Sequence, residues 1–381
     1  MAAGGAYDAI VLGLGAMGSA AAAHLARRGL GVLGIEQYGE AHDRGSSHGE
    51  SRMIRQAYFE DPGYVPLVLR AYELWRELEA ETGTELLTLT GGLLLGAPGS
   101  ATVRGGMASA ERFGLPYRLL ERAELVAEFP TFDPPPGTVA LFEPDAGFVR
   151  PEAAIRAQLA LARRHGAELH LGEQVTGWSI RSGAVEVATA SGRYRARRLV
   201  LCPGPWAPQV LEELKVPLVV ERQVLHWFEP AGPLDPYLLG AHPVWIYEPP
   251  AAGLVLYGFP ALSKASGVKV AFFGGGAPCR PEGIERRVGE EEVDAIAAAL
   301  AGVLPGLPGR FLRATTCMFT NSPDRHFVVG ELPGAPEVLL ACGFSGHGFK
   351  FAPAIGEALA ELATGGDPAT LPGALFSPSR V

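Results

Sequence analysis

Apolar positions along the first forty residues fall into two short runs separated by a stretch of small side chains. Residues 7–13, YDAIVLG, are rich in β-formers and end at a glycine, which predicts a buried parallel strand. The glycines Gly13, Gly15 and Gly18 follow with GxGxxG spacing, and the run SAAAAHLARRG then predicts a helix that stops at Gly29. Two arginines occupy its last turn, where the helix dipole favours cations. Residues 31–36, GVLGIE, predict a second strand with Glu36 at its end. Further on, Asp61-Pro62 has the form of an N-cap with proline in the first helical position. Val65, Leu67, Val68, Ala71, Leu74, Trp75 and Leu78 then recur at helical spacing up to Gly83. Residues 85–97 and the Pro/Gly-rich stretch 130–151 bracket a more strand-like region, and a helix returns over 152–166.

Beyond it, alternating strands lead through Val175 to RLVLC, a buried strand that ends in a turn at Gly204. From 219 to 276 the apolar runs VVERQVLHWF, PVWIYE, GLVLYGF and VKVAFF are short and divided by Pro and Gly, predicting an antiparallel sheet. Glu290 to Leu304 reads as an amphipathic helix, and three further strands precede a last helix at about 353–364. Strand-helix patterning at both ends of the chain predicts an α/β, Rossmann-like domain assembled from residues 1–90, 147–218 and 317–381. Residues 91–146 and 219–316 are expected to form an α+β second domain, built on a mostly antiparallel sheet, that takes the substrate.

Length agrees with two domains, since 381 residues at about 150 per domain make two to three units. A formal charge of −9 argues against a nucleic-acid partner. No run reaches the roughly 18 apolar residues of a membrane span, and the start lacks the basic region of a secretory leader. Cys202, Cys279, Cys317 and Cys342 are widely spaced, with neither CxxC nor Cys/His ligand spacing. That pattern predicts no metal site and a reducing, cytoplasmic compartment. The basic residues are 28 Arg and only four Lys: Lys215, Lys264, Lys269 and Lys350.

The GxGxxG turn carries the first chemical implication. Gly13 permits the tight bend, Gly15 lets backbone approach a pyrophosphate, and Gly18 lets helix and strand pack closely. The first helical residues, Ala16 and Met17, then offer free N–H groups to phosphate, and Glu36 is placed to accept from ribose hydroxyls. This motif does not separate FAD from NAD. The return of cofactor-domain patterning at the far C-terminus, with Gly343, Gly346 and Gly348 ahead of the last helix, favours the longer FAD.

Five segments resemble one family: Ser47-His48-Gly49-Glu50-Ser51-Arg52-Met53-Ile54-Arg55, Glu221-Arg222-Gln223, Tyr257-Gly258-Phe259-Pro260, Cys317 to Asp324, and Gly343 to Lys350. In order, and over about residues 7–365, they are similar to the sarcosine oxidase family of flavin-dependent amine oxidases, whose relatives include N-methyltryptophan and pipecolate oxidases. Taken alone, Cys317 reads as a buried thiol; the resemblance implies a thioether from it to the flavin, hence covalent FAD. Arg52 and Arg55, three apart, would share a face on a helical turn and alone read as a solvated basic surface. The resemblance instead lays Arg52 against the flavin ring and gives Arg55 the substrate carboxylate, together with Lys350. It places Lys269 beside the flavin, where a fixed ammonium promotes reaction with O2. Ser47, His48, Val175, Gly204, Gly346, His347 and Gly348 are expected to contact the cofactor, and Tyr257 to line the substrate pocket. Two departures stand out: Phe319 replaces a tyrosine and Phe273 falls where the family has a pocket histidine. Both leave apolar walls and suggest an N-substituent bulkier or more hydrophobic than that of sarcosine.

The implied reaction is FAD-dependent oxidation of a secondary amino acid, N-methyl or cyclic, to an imine, with O2 reduced to hydrogen peroxide. Hydrolysis of the imine then yields formaldehyde plus amino acid. The expected partners are a small-molecule amino acid and O2, and the expected state is a monomer. A flavin dehydrogenase with another acceptor and an NAD-dependent dehydrogenase are the alternatives; the second leaves Cys317 and the 343–350 turn without a role.

Overall fold

The computed structural model describes residues 7–212, 216–250 and 253–381. Lys215 lies outside the described residues. The chain opens with β1 (Tyr7–Leu12), α1 (Ala16–Arg27) and β2 (Val32–Glu36), then β3 (Arg52–Ile54) and α2 (Val65–Thr82). The Asp61 carboxylate accepts from Gly63 N at 2.7 Å ahead of α2, and Gly83 closes that helix at φ 67°. Next come β4 (Leu87–Leu89), β5 (Gly92–Gly96), α3 (Ala101–Phe113), β6 (Arg118–Glu121), α4 (Arg122–Glu128), β7 (Val139–Glu143) and β8 (Gly147–Val149). After α5 (Pro151–Arg164) follow β9 (Glu168–Leu171), β10 (Val175–Arg181), β11 (Ala184–Thr189), β12 (Arg193–Leu201) and the short α6 (Ala207–Val210). The second half contains β13 (Val219–Glu229), β14 (Val244–Tyr247), β15 (Val255–Phe259), β16 (Val268–Phe273) and α7 (Glu290–Ala301). The chain then forms β17 (Arg310–Asn321), β18 (Val328–Leu332), β19 (Ala335–Cys342) and α8 (Ala352–Ala363).

These strands make three sheets. In the first, β9, β2, β1, β12 and β19 run parallel in that spatial order, with the β10–β11 hairpin on the early half of β12 and β18 antiparallel to β19. Parallel strands buried on both faces explain the apolar runs Ala9–Leu12 of β1 and Val32–Ile35 of β2. The second sheet has the order β17-β13-β16-β15-β14-β5-β7-β6 and is antiparallel except between β14 and β5. A small sheet, β3-β8-β4, lies apart from both. The boundary expected at residue 317 falls inside β17, whose residues from Arg310 to Asn321 pair with β13 as one strand of the second sheet.

Helix α1 is almost wholly buried, and its alanines let α5 and α8 approach closely. Its Ser19 hydroxyl meets Gln158 Oε1 at 2.6 Å. On α8, a Cβ at Gly356 would lie 2.6 Å from Ala20 backbone. The second sheet packs α7 through Ile296 and Leu300 against Trp245, Phe228 and Val270.

The pattern of apolar positions did not reveal α3 and α4. Gly105 and Gly106 lower the helical propensity of α3, but they serve its packing. A Cβ on Gly105 would meet Phe59 O at 2.5 Å, and Ser109 Oγ donates to Tyr58 O at 2.5 Å. Helix α3 therefore presses on the loop after β3. No helix among the described residues is long and apolar enough to cross a membrane.

The α1–α8 crossing generates a stability prediction. Gly356→Ala should lower unfolding free energy by about 1–3 kcal/mol through overpacking. Gly302→Ala, whose Cβ would meet only Ala299 O at 3.7 Å, should be neutral or stabilising by up to about 1 kcal/mol. Urea midpoints of the two variants check this; equal midpoints would contradict the packing argument.

Candidate active site

A cavity of about 740 Å3 opens at the C-terminal ends of β1, β2 and β12. Gly13, Gly15, Ala16, Met17, Glu36, Ser47, Arg52, Val175, Gly204, Gly346 and Gly348 line it, so the structure brings most of the expected cofactor residues together. Close approach requires glycine at two positions of the turn. A Cβ on Gly13 would lie 2.4 Å from Cys202 O and one on Gly18 only 1.7 Å from Gly13 O. Helix α1 starts at Gly15 with no side-chain cap and no acid in its first turn, leaving its N–H groups to an anion. Glu36 accepts from Leu14 N at 2.8 Å and Tyr38 N at 3.1 Å, which fixes its carboxylate at the cavity wall. Burial opposes its charge, but His42 and the two amides outweigh that and hold its pKa low. The site fits a long dinucleotide: uncapped amides for a pyrophosphate, an ionised acceptor for ribose, and room for more.

Arg52, Phe319, Gly346 and Phe349 are shared with a second cavity of about 80 Å3. Cys317 lies at that junction, 3.5 Å from Arg52 Nη2 and 2% exposed. Burial pushes its thiol up, but the neighbouring His48 imidazole and Arg52 guanidinium outweigh burial and bring it down to about 7. The buried thiol of Cys202 is instead raised to about 12, and burial also raises Cys342. Cys317 thus has the thiolate character that nucleophilic chemistry needs, and the other two do not. His48 lines neither cavity, and its Nε2 makes no hydrogen bond.

The second cavity is polar at one end and apolar elsewhere. Arg55 and Lys350 are 3% and 5% exposed and converge on it. Arg55 donates through Nη2 to both oxygens of Glu60, at 2.7 and 2.5 Å, with its guanidinium between the Tyr58 and Phe59 rings. Glu60 is a resident anion that sequence reading missed. It sits between the Arg-rich motif and the helix cap, where an acid reads as ordinary surface. Burial opposes its charge, but Arg55 above all, and then Lys350, keep it ionised. Burial first, then Arg55, lowers Lys350 to about 7. Its Nζ donates to His347 O at 2.7 Å.

His347 belongs to this second cavity rather than to the first. Burial lowers its pKa to about 4, so the ring is neutral at pH 7. Nε2–H donates to Arg325 O at 3.1 Å, which leaves Nδ1 to accept from the Tyr58 hydroxyl at 2.5 Å. Tyr257, Phe273 and Phe319 form the apolar wall, with Phe273–Phe319 centroids 5.6 Å apart. The helical geometry considered for Arg52 and Arg55 does not occur. Arg52 opens β3 and Arg55 directly follows it; in extended chain a three-residue spacing sends side chains to opposite faces, so one reaches Cys317 and the other Glu60.

Lys269 lines neither cavity. It is 3% exposed in β16, opposite Trp227 and Phe259, with its ammonium 4.0 Å from the Phe259 ring centroid. Nζ donates to Gly49 O at 2.9 Å and Ser51 O at 2.5 Å. Glu143, another residue the sequence did not single out, accepts from Gln56 N and Ala57 N at 2.5 and 3.0 Å and pins the loop that carries Arg55. Burial raises its carboxyl to about 7 against those two amides and Arg55.

Residues 8–362 match the FAD dependent oxidoreductase family. The chain is 51% identical over 377 residues to the monomeric sarcosine oxidase of Streptomyces avermitilis, covering 98% of both chains. It is 35% identical over 360 residues to the N-methyl-L-tryptophan oxidase of Yersinia pestis, covering 94% of this chain and 95% of the relative. Among solved structures it is similar to NikD, an unusual amino acid oxidase essential for nikkomycin biosynthesis. That likeness has a TM-score of 0.85 at 25% identity and covers 98% and 97% of the two chains.

The buried Glu143 generates a pH prediction. Its folded pKa lies above the unfolded value, so its contribution is fully present below about pH 4 and is lost as pH rises through 7. The two amides reach different oxygens of the carboxylate, so Glu143→Gln keeps a carbonyl acceptor for one of them, much as the protonated acid does, and removes the charge. The variant should be more stable than the parent by about 3 kcal/mol at pH 8 and equal to it near pH 4. Urea unfolding at the two pH values measures the difference, and a pH-independent offset would contradict it.

Proposed function

The chain belongs to the FAD dependent oxidoreductase family, and from that premise we propose that it oxidises secondary amino acids, N-methyl or cyclic, with O2 as acceptor. The observation that carries this reading is the pair of buried cations, Arg55 and Lys350, at the polar end of an apolar cavity that adjoins the dinucleotide cavity. Relatives named sarcosine oxidase and N-methyl-L-tryptophan oxidase support the substrate class.

Charge matching explains the carboxylate. Arg55 and Glu60 neutralise one another, so a protonated Lys350 leaves one net positive charge for one substrate carboxylate. Buried charge-assisted hydrogen bonds of this kind fix orientation as well as affinity. Phe273, Phe319, Tyr257, Ile246 and Val255 take the N-substituent and exclude water. With aromatic carbon where a polar pocket group would stand, the wall favours an N-substituent larger or more apolar than that of sarcosine.

Bound in the large cavity, FAD supplies the two-electron acceptor for the substrate and the electron donor to O2. The substrate CH–NH unit loses two electrons and two protons to become C=N, O2 gains the same to become hydrogen peroxide, and water hydrolyses the imine. For an N-methyl substrate the products are formaldehyde and the primary amino acid. Positioning supplies most of the rate in this reading, since His347 is neutral and held at both nitrogens. Lys269 provides the fixed positive charge that favours electron transfer to O2, and Cys317, with its lowered pKa, is the residue that would hold FAD covalently. A cytoplasmic monomer accords with four free cysteines and with the monomeric sarcosine oxidases among the relatives.

Two measurements test the reading. Oxygen electrode and peroxide assays across N-methyl and cyclic amino acids should show stoichiometric peroxide and a higher kcat/KM for substrates with larger apolar N-substituents than for sarcosine. A maximum at sarcosine would reject the pocket argument, and turnover without peroxide would reject O2 as acceptor. Acid precipitation of the purified protein should leave yellow flavin in the pellet, whereas Cys317→Ser should release it to the supernatant. Release from the parent would reject the covalent link.

A further inference from the structure

Lys269 is held by backbone carbonyls, and the other side of that same backbone is held by a carboxylate. Gly49 C=O and Glu50 N–H belong to one peptide group. Its carbonyl oxygen accepts from Lys269 Nζ at 2.9 Å, and its N–H donates to Glu152 Oε1 at 3.2 Å. The adjacent Gly49 N–H donates to the same Oε1 at 2.6 Å, and Ser51 O accepts from Lys269 at 2.5 Å. The turn is made possible by positive φ values of 99° at Gly49 and 70° at Glu50. These turn two successive N–H groups toward one anion, as in an anion-binding nest. Glu152 itself lies in the first turn of α5, where the dipole favours a carboxylate.

We propose that Glu152 is a positioning residue for Lys269, acting through the 49–51 peptide groups to fix the ammonium and to keep it charged. An anion at the N–H end and a cation at the C=O end polarise the intervening amide in the same sense, so each hydrogen bond strengthens the next. The need for such support is evident from the surroundings. Burial and then Arg52 on β3 drive the Lys269 pKa well down; Glu50 in the turn, Glu152 on α5 and Cys317 on β17 oppose them. The other neighbours are uncharged: Phe259 on β15 and Trp227 on β13. Glu50 is half exposed and ion-paired with Arg313, whereas Glu152 is bonded directly into the peptide that holds the lysine.

The functional part of this inference rests on the reading that Lys269 assists O2 reduction, and its structural part does not. With only four lysines in the chain, 13Cε-lysine NMR of the whole protein should resolve each one, and Lys269→Met assigns the signal. In Glu152→Gln, which retains an acceptor but no charge, the Lys269 titration midpoint should fall by about one pH unit, tenfold in proton affinity. Glu152→Asp should return it toward the parent value. A midpoint unmoved in Glu152→Gln would overturn the proposal, whatever the kinetics. In stopped flow, Glu152→Gln should slow reoxidation of the reduced flavin by about tenfold near neutral pH and shift its pH profile to lower pH. Anaerobic reduction by substrate should stay within about twofold of the parent. If Lys269→Met leaves reoxidation unchanged, the oxygen role of Lys269 fails. If Lys269→Met slows it and Glu152→Gln does not, the relay through Glu152 fails.

Discussion

Burying a cation costs several kcal/mol unless it is paired and hydrogen-bonded, and this chain buries three of them around one loop. Arg55, Lys269 and Lys350 are each 5% exposed or less. The loop that follows β2 and continues past β3 answers that cost with its own backbone. Gly49 and Ser51 carbonyls hold Lys269, Ala57 O and Glu60 hold Arg55, and Tyr58 braces the histidine whose carbonyl holds Lys350. The cations and the loop therefore need one another: without the lysines and arginines the carbonyls face an apolar sheet, and without the loop the charges are unpaired.

The same constraint explains the carboxylates behind the loop. Glu143 and Glu152 are on different elements, yet each accepts from two successive loop amides, at 56–57 and at 49–50. Together they make the loop a rigid support on both sides of β3 even though it has little regular structure. Helix α3 completes the support by pressing Gly105 on the backbone of Phe59. A binding site that needs a fixed charge has here been built on a loop by pairing its amides at 49–50 and 56–57 with carboxylates and its carbonyls with cations. The arrangement is costly in stability, as the raised pKa of Glu143 shows, which is the usual trade at functional sites.

Electrostatics also sorts the cysteines. Three are buried, but only at Cys317 do the neighbours, His48 and Arg52, outweigh burial, so the neighbourhood rather than burial separates one thiolate-forming side chain from two inert ones. Arg52 touches both the Cys317 sulfur and the wall of the dinucleotide cavity. It therefore links the cofactor site to the substrate site without belonging to either alone.

The sequence by itself determined what local periodicity and motif spacing can carry. These are the β1–α1–β2 start with its three glycines and Glu36, the capped α2 from Asp61 to Gly83, and the β-rich runs of the second sheet. Each rests on residues near one another in the chain, where hydrogen-bond geometry and side-chain period act directly; Arg52, Arg55, Lys269, Cys317 and Lys350 were singled out only by resemblance to a family. Helix α3 was hidden because its glycines serve a contact with residue 59, not its own propensity. Glu60, Glu143 and Glu152 were hidden because an acid is a surface residue until folding buries it against a partner. Glu143 and Glu152 meet amides about 86 and 103 residues away. Only the tertiary structure decided which charges would lose their water, and therefore which carboxylates and carbonyls had to be there to replace it.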